Sequence, residues 1–366
     1  MRVSPLKNKF ASMGASFENR YGVEVATRVN DTAKEYNFVR DASAVTDFSY
    51  MQKFRVPEET GLDFLDGLLA GNVAKIRFGR VLHTFLTDDS GMLLADCYVA
   101  NNDDEFIVLC ESIADDNKIR EIFTSDTSAG VEDITEKTVV IGVDGYKAWA
   151  VIKELFGADI LGLPYMSIET YQFKDQDIRL LRAGKTSEFG YLLIAPADLA
   201  ETLFDTLNEQ AKTQSGGVCS VSIHNDLRLE GRFFNIFAEG AKVKDPLALG
   251  LQWMIDFDKE QFTGHDAIMD RRNTGIENKI IGVKVDNGVA LSVGSVVYCG
   301  NRKVATVQAV CFSYVLDATL GLALFDKDVA FSGLQFTIDS SDGPSLQTIS
   351  MPPIMPKSLS VKLDEI

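Results

Sequence analysis

One carboxylate in an apolar strand limits how residues 83–100 can fold. The stretch runs His83-Thr84-Phe85-Leu86-Thr87, then Asp88-Asp89-Ser90-Gly91, then Met92 to Ala100. Alternation predicts a strand over 83–87, the polar and glycine residues predict a turn, and 92–100 predicts the return strand of a hairpin. The return strand is apolar except at Asp96. Removing a lone carboxylate from water costs several kcal/mol unless a partner meets it. Asp96 therefore either reaches water at a strand end or is met by groups from elsewhere in the chain. The stretches described next favour the second reading.

The chain has 366 residues, enough for two or three domains at about 150 residues each. A helix is expected over 29–40, with Asp31 or Thr32 as its N-cap. A strand from about residue 47 ends at Phe54-Arg55-Val56. An amphipathic helix follows over 59–70 and stops at Gly71-Asn72. After the hairpin come a strand over 105–111, a helix over 113–124, a strand over 139–143 and a helix over 145–156. Strands over 167–173 and 178–182 pair about residues 174–177; strand 191–194 and helix 197–213 follow. Strands and helices thus alternate twice, which predicts two α+β domains. From Glu277 the pattern changes to short strands over 280–285, 296–299, 303–310, 319–324 and 335–338, the signature of a small β-barrel or sandwich.

Lys and Arg number 36 against 53 Asp and Glu, a formal net charge of −17. That balance argues against nucleic-acid binding through phosphate contacts, which need a basic face. The five cysteines are scattered and form no CxxC pair. They read as free thiols in a reducing compartment, without a disulfide framework or zinc site. No window reaches the roughly 18 apolar residues of a membrane span. The start of the chain lacks the apolar segment of a signal peptide, so a cytoplasmic location is expected.

Three further stretches carry candidate chemistry. In Arg182-Ala183-Gly184-Lys185-Thr186-Ser187-Glu188-Phe189-Gly190-Tyr191, Glu188 stands in a tight loop between strands. There it is either a solvated turn residue or a carboxylate able to accept two parallel hydrogen bonds from an amidine-like edge. In Leu227-Arg228-Leu229-Glu230-Gly231, Arg228 and Glu230 share a face if the segment is a strand, as an ion pair or an anion site. Trp253, in Leu249-Gly250-Leu251-Gln252-Trp253, either stacks on a flat ring or fills core. His224 and His265 read as ordinary hydrogen-bonded residues. Cys97 has no evident base beside it and is not expected to be a nucleophile.

Taken in order, these stretches resemble the glycine-cleavage T-protein (aminomethyltransferase) family of folate-dependent one-carbon transferases over most of the chain. Asp47 to Val56 resembles the family's Asp-x-Ser-His-Met stretch and its following strand. Gly79 to Val99 resembles its Asp-bearing hairpin, and Arg182 to Gly190 its Arg-Thr-Gly-Tyr-Thr-Gly-Glu-x-Gly loop. Asn225 to Glu230 resembles its Asp-x-Leu-Arg-Leu-Glu stretch, and Pro246 to Lys259 its Pro-x-x-x-Gly-Leu-x-Trp stretch. Glu260 to His265 lacks the cysteine motif of the sulfur-cluster-assembly relatives.

The resemblance implies an α+β cloverleaf of three domains around a central folate channel. Domain one would take residues 1–46 and 140–245, domain two residues 47–139 and 246–276, and the C-terminal barrel residues 277–366. It implies Asp96 as the catalytic carboxylate, Glu188 as the pterin-binding residue, and Arg228, Trp253, Tyr98 and Tyr191 beside the folate. It implies tetrahydrofolate and a one-carbon donor, either a lipoyl carrier protein or a small molecule, with Lys185, Arg228 and Arg232 available as a basic patch for a carrier.

Departures from the family pattern leave two alternatives, a folate-dependent demethylase of a sulfonium, O-methyl or N-methyl compound and a non-catalytic folate-binding regulator. Lys185 stands where the loop has Tyr, Ser187 where it has Gly, and Leu192 where it has an acidic residue. Tyr50 replaces a His, and Ile236 and Ala100 stand at tyrosine positions. Oligomeric state is not legible.

Overall fold

The computed structural model describes residues 1–362. Two sheets pack face to face. The first has six strands in the order Ser167–Phe173, Gln176–Arg182, Gly190–Pro196, Thr138–Asp144, Ala44–Asp47 and Gly217–Cys219. Only the last pair is parallel. The second has five, in the order Val81–Thr87, Leu93–Asn102, Glu105–Ser112, Gln52–Pro57 and Glu132–Asp133. The hairpin read around Asp96 is the first pair of this sheet.

Strand alternation sorts the side chains between two faces. On Leu93–Asn102, Ala95, Cys97 and Val99 face the helices Glu58–Leu68 and Asp116–Phe123. Tyr98 and Ala100 face the other sheet, where they meet Val140, Leu192 and Ile194. The outer face of the six-stranded sheet, including Val139, Ile141, Tyr191 and Leu193, is covered by Ala148–Phe156 and Ala200–Thr213.

Four differences from the sequence expectations have local causes. The single strand expected up to residue 56 is two, Ala44–Asp47 and Gln52–Pro57, one in each sheet. Residues 48–51 cross between them, and Phe48, Tyr50 and Met51 fill the inter-sheet space. Apolar neighbours on both sides hid that break. The turn at 174–177 shortens to Lys174 and Asp175, both at positive φ (50° and 60°), as a two-residue type I′ hairpin requires. An additional hairpin, Ser16–Arg20 with Val23–Arg28, turns at Tyr21-Gly22. Finally, the segment around Arg228, which would have to be a strand for Arg228 and Glu230 to share a face, is the helix Val221–Gly231.

That helix lies against the third unit, a closed barrel of six strands from Asn278–Asp286 to Ser345–Ile349. Leu229 of the helix packs on Ile280, Ala309 and Leu320 of the barrel. The chain is thus α+β with a closed C-terminal barrel. No helix among the described residues is long and apolar enough to cross a membrane.

Candidate active site

Asp96 sits on the inner face of its strand, directly opposite Glu111. Like charges at opposed positions destabilise a sheet, and both carboxylates are 2% exposed. The fold answers with cations from the loop between strands Gln176–Arg182 and Gly190–Pro196 of the other sheet and from the helix. Lys185 Nζ donates to Asp96 Oδ2 and to Glu111 Oε2, the latter at 2.8 Å. Arg228 binds Glu111 through both terminal nitrogens, at 2.9 and 2.7 Å, the strong two-pronged form of such a pair. Tyr50 donates to Glu111 at 2.5 Å. His83, two residues before Phe85 on the paired strand, places Nε2 at 2.6 Å from Asp96 Oδ1.

These contacts set the protonation states. Burial alone would raise the Asp96 carboxyl, but His83 and Lys185 outweigh it and hold the group below the ordinary carboxylate range. Burial acts the same way on Glu111, and Arg228 with Lys185 pulls it far below that range. Both are anions at neutral pH. Asp96 can therefore accept hydrogen bonds and stabilise positive charge, and it has no proton of its own to donate.

Two spaces adjoin the cluster. An open groove of about 710 Å³ runs past Lys75, Arg77, Arg80 and Trp253. Trp253 is 65% exposed, so it does not fill core; its ring meets His83 edge-on at 5.5 Å. On the other side lies a small cavity of about 20 Å³ lined by Tyr98, Asp144, Lys185, Leu192 and Arg228. That is room for one water and not for a ring. Tyr98 packs under Lys185 Nζ at 5.0 Å from its ring centroid and beside His83.

The structure brings together Asp96, Arg228, Tyr98 and Trp253, and moves two candidates elsewhere. Glu188 is buried away from the cluster. Its oxygens accept from the backbone N–H groups of Lys357 and Ser358, at 3.2 and 2.8 Å, and from Arg40 at 3.4 Å. It anchors the C-terminal segment and has no edge left for a ligand. Tyr191 is fully buried on the outer, helix-covered face of its strand. The cavity is lined instead by its neighbour Leu192, as alternation dictates. Arg228 and Glu230 do not share a face in a helix. Glu230 turns away to Tyr36, Arg40 and Ser313. Lys185 and Arg228 are 7% and 3% exposed and Arg232 is half-buried, so the three form no surface patch for a carrier; the exposed basic residues of the groove are Lys75 and Arg77.

Sequence reasoning missed Glu111, His83 and Asp144. Glu111 and Asp144 each close an apolar strand, the same signal that marked Asp96. His224 is an ordinary hydrogen-bonded residue, 2.9 Å from the Thr46 hydroxyl, and burial takes its pKa down to about 3. Cys97 lies on the far face, its Sγ 3.2 Å from that of Cys110. Among the described residues, no three or more His, Cys, Asp or Glu side chains group to hold a metal ion.

Comparison with known proteins adds an independent line. The chain is 26% identical over 358 residues to the aminomethyltransferase of Mycobacterium avium, covering 96% of both chains. It is 24% identical over 348 residues to that of Caldanaerobacter subterraneus, covering 92% of this chain and 91% of the relative. The fold matches the crystal structure of glycine cleavage system aminomethyltransferase T from Bartonella henselae with a TM-score of 0.82 at 18% identity, covering 97% and 98% of the two chains. The family model described as the GCVT N-terminal domain matches residues 6–259. With more than two thirds of its length in that match, the chain belongs to the GCVT family.

Proposed function

We propose that this chain is a tetrahydrofolate-dependent one-carbon transferase of the aminomethyltransferase type. The observation that carries this reading is Asp96: a buried carboxylate, held ionised where the two sheets meet, in a chain similar along its length to aminomethyltransferases. The reaction moves a CH₂ unit from an aminomethyl thioether to tetrahydrofolate. The carbon–sulfur and carbon–nitrogen bonds of the donor break, two bonds form to the folate nitrogens, and their two protons leave with the thiol and ammonia.

Positive charge builds on the carbon in transit. A fixed anion in a site screened from water offsets such charge far better than solvent does. Asp96 supplies that anion, and His83 fixes its orientation. Tyr98 offers a flat apolar wall, and Trp253 a second one at the groove. The chemistry of these groups fits a reduced folate, but the small cavity does not hold a ring as it stands. Substrate entry therefore displaces the Lys185 side chain, which releases Asp96 Oδ2 for the substrate.

The donor is a lipoyl carrier protein in this reading. One observation favours a second: Lys185 already neutralises Asp96, which weakens its pull on a cationic aminomethyl group and suits transfer from a methylated small molecule. Ammonia release from an aminomethylated lipoyl carrier, assayed with and without tetrahydrofolate, tests the first reading. Folate-dependent release should be seen and should fall by roughly 10²-fold or more in Asp96→Asn. Methyl transfer from sulfonium or N-methyl compounds with no ammonia release would replace it with the second.

A further inference from the structure

The cavity beside the Asp96 cluster has one wall that the chemistry above leaves unused. Asp144 ends strand Thr138–Asp144 on the inner face and is 3% exposed. Among the described residues it makes no ion pair with Lys, Arg or His. Its Oδ1 is seated against two glycines: a Cβ on Gly184 would stand 3.0 Å from it, and one on Gly190 would stand 2.8 Å from it. A side chain at either position would displace the carboxyl from this place. Arg228 commits both terminal nitrogens to Glu111 and leaves its buried Nε–H with no acceptor among the described residues. An acceptor and an unfilled donor thus line one small cavity. Leu192 lies on the adjoining strand, opposite Gly142 and so diagonal to Asp144. The acidic residue that the related loop carries at the Leu192 position has a counterpart here one strand away.

We infer that Asp144, and not Glu188, receives the paired N–H edge of the substrate heterocycle, with Arg228 Nε–H donating to the carbonyl oxygen next to that edge. The ligand class is a 2-amino-4-oxo heterocycle such as a pterin, whose amino, ring N–H and carbonyl groups run donor, donor, acceptor. The inference rests on the folate reading and names the group that would recognise the ring.

A proton accompanies binding. Burial pushes the Asp144 carboxyl up to about 7, with the Arg228 charge and the nearby Thr186 hydroxyl offsetting only part of that rise. The paired N–H edge prefers the carboxylate, so below that pH binding must expel a proton. Several ionisable groups around Asp144 hold their charge state in this window. Arg228 stays charged, because Glu111 outweighs the effect of burial. His224 is neutral. Tyr98, Tyr165 and Cys219 keep their protons, because burial raises all three. Lys185 is engaged with Asp96 and Glu111.

Calorimetric titration with tetrahydrofolate separates the possibilities, using wild type, Asp144→Asn and Glu188→Gln from about pH 5.5 to about pH 8. Wild-type affinity should fall about tenfold per pH unit below about pH 7. Asp144→Asn should bind about tenfold or more weakly at pH 8 and lose that dependence, a change of roughly 1.4 kcal/mol or more. Glu188→Gln should stay within about threefold of wild type. Wild-type binding that Asp144→Asn leaves unchanged would overturn this inference and leave the folate reading standing. Absence of wild-type binding at every pH would overturn both. If Asp144→Asn does not fold, the wild-type profile decides alone, and a flat one overturns the assignment.

Discussion

Two buried ion-pair networks lie within this chain, and they differ in completeness. Around Glu230, Tyr36 donates to both carboxylate oxygens at 2.7 and 2.9 Å, Arg40 binds through Nε and Nη2, and Ser313 donates to Oε1. The remaining Arg40 nitrogen reaches the Thr186 carbonyl and Glu188. Among the described residues, the Glu230 carboxylate, the Tyr36 hydroxyl and the Arg40 guanidinium all have partners there. Around Asp96 the ion pairs are as close, yet among the described residues Arg228 Nε is unpartnered, Asp144 makes no ion pair, and a cavity lies between them. Both networks carry the desolvation cost of buried charge, and neither is evidence of stability in itself. The complete one locks the helix Thr32–Asp41 to the helix Val221–Gly231 and the barrel. The incomplete one keeps polar groups unsatisfied next to a space, as a binding site must.

Substitutions should separate the two. Asp96→Asn is expected to cut turnover by about 10² to 10⁴-fold, measured by single-turnover kinetics, with folate affinity within about threefold. Unchanged turnover would break the contrast at its catalytic end. Glu230→Ala strands Arg40 without its main counter-charge. It should cost about 3–5 kcal/mol in urea unfolding, while turnover per folded molecule stays at the wild-type level.

Asp144 adds a pH signature. In the folded chain its proton is held up to a pH of about 7, whereas an unfolded Asp releases it near about 3.9. The folded state therefore binds the extra proton between these values, and its stability declines as pH rises through that window. Asp144→Asn should remove this decline. Relative to wild type it should gain on the order of 4 kcal/mol between about pH 4 and about pH 8. Parallel stability curves for the two proteins would contradict the unpaired state of Asp144. The smallest effect belongs to Trp253→Ala, which should change stability by less than about 0.5 kcal/mol, because the side chain is exposed.

What the sequence revealed follows the same division. Asp96 was legible because one polar residue interrupts an apolar strand, and the hairpin because its turn residues are explicit. The barrel was legible because short strands recur between glycine-bearing turns. Glu188 misled because a carboxylate between two glycines looks free for a ligand, and its true partners, Arg40 and the backbone at 357–358, are about 150 and 170 residues distant. Lys185 stood out as a departure, but nothing local shows that its ammonium spans to Asp96 and Glu111. The sequence left the state of Val221–Gly231 open, because Val221, Ile223, Leu227 and Leu229 fall at even spacing. It is buried on nearly all sides, between the sheets and the barrel, and such a helix shows no single apolar stripe.

Amide hydrogen exchange with and without tetrahydrofolate tests the central contrast most directly, since it reads local opening around both networks in one experiment. Added folate should slow exchange in strands Val81–Thr87, Leu93–Asn102 and Gly190–Pro196 and leave the helix Thr32–Asp41 unchanged. Protection confined to Thr32–Asp41 and the barrel, or none at all, would contradict the assignment of the Asp96 cluster as the folate site.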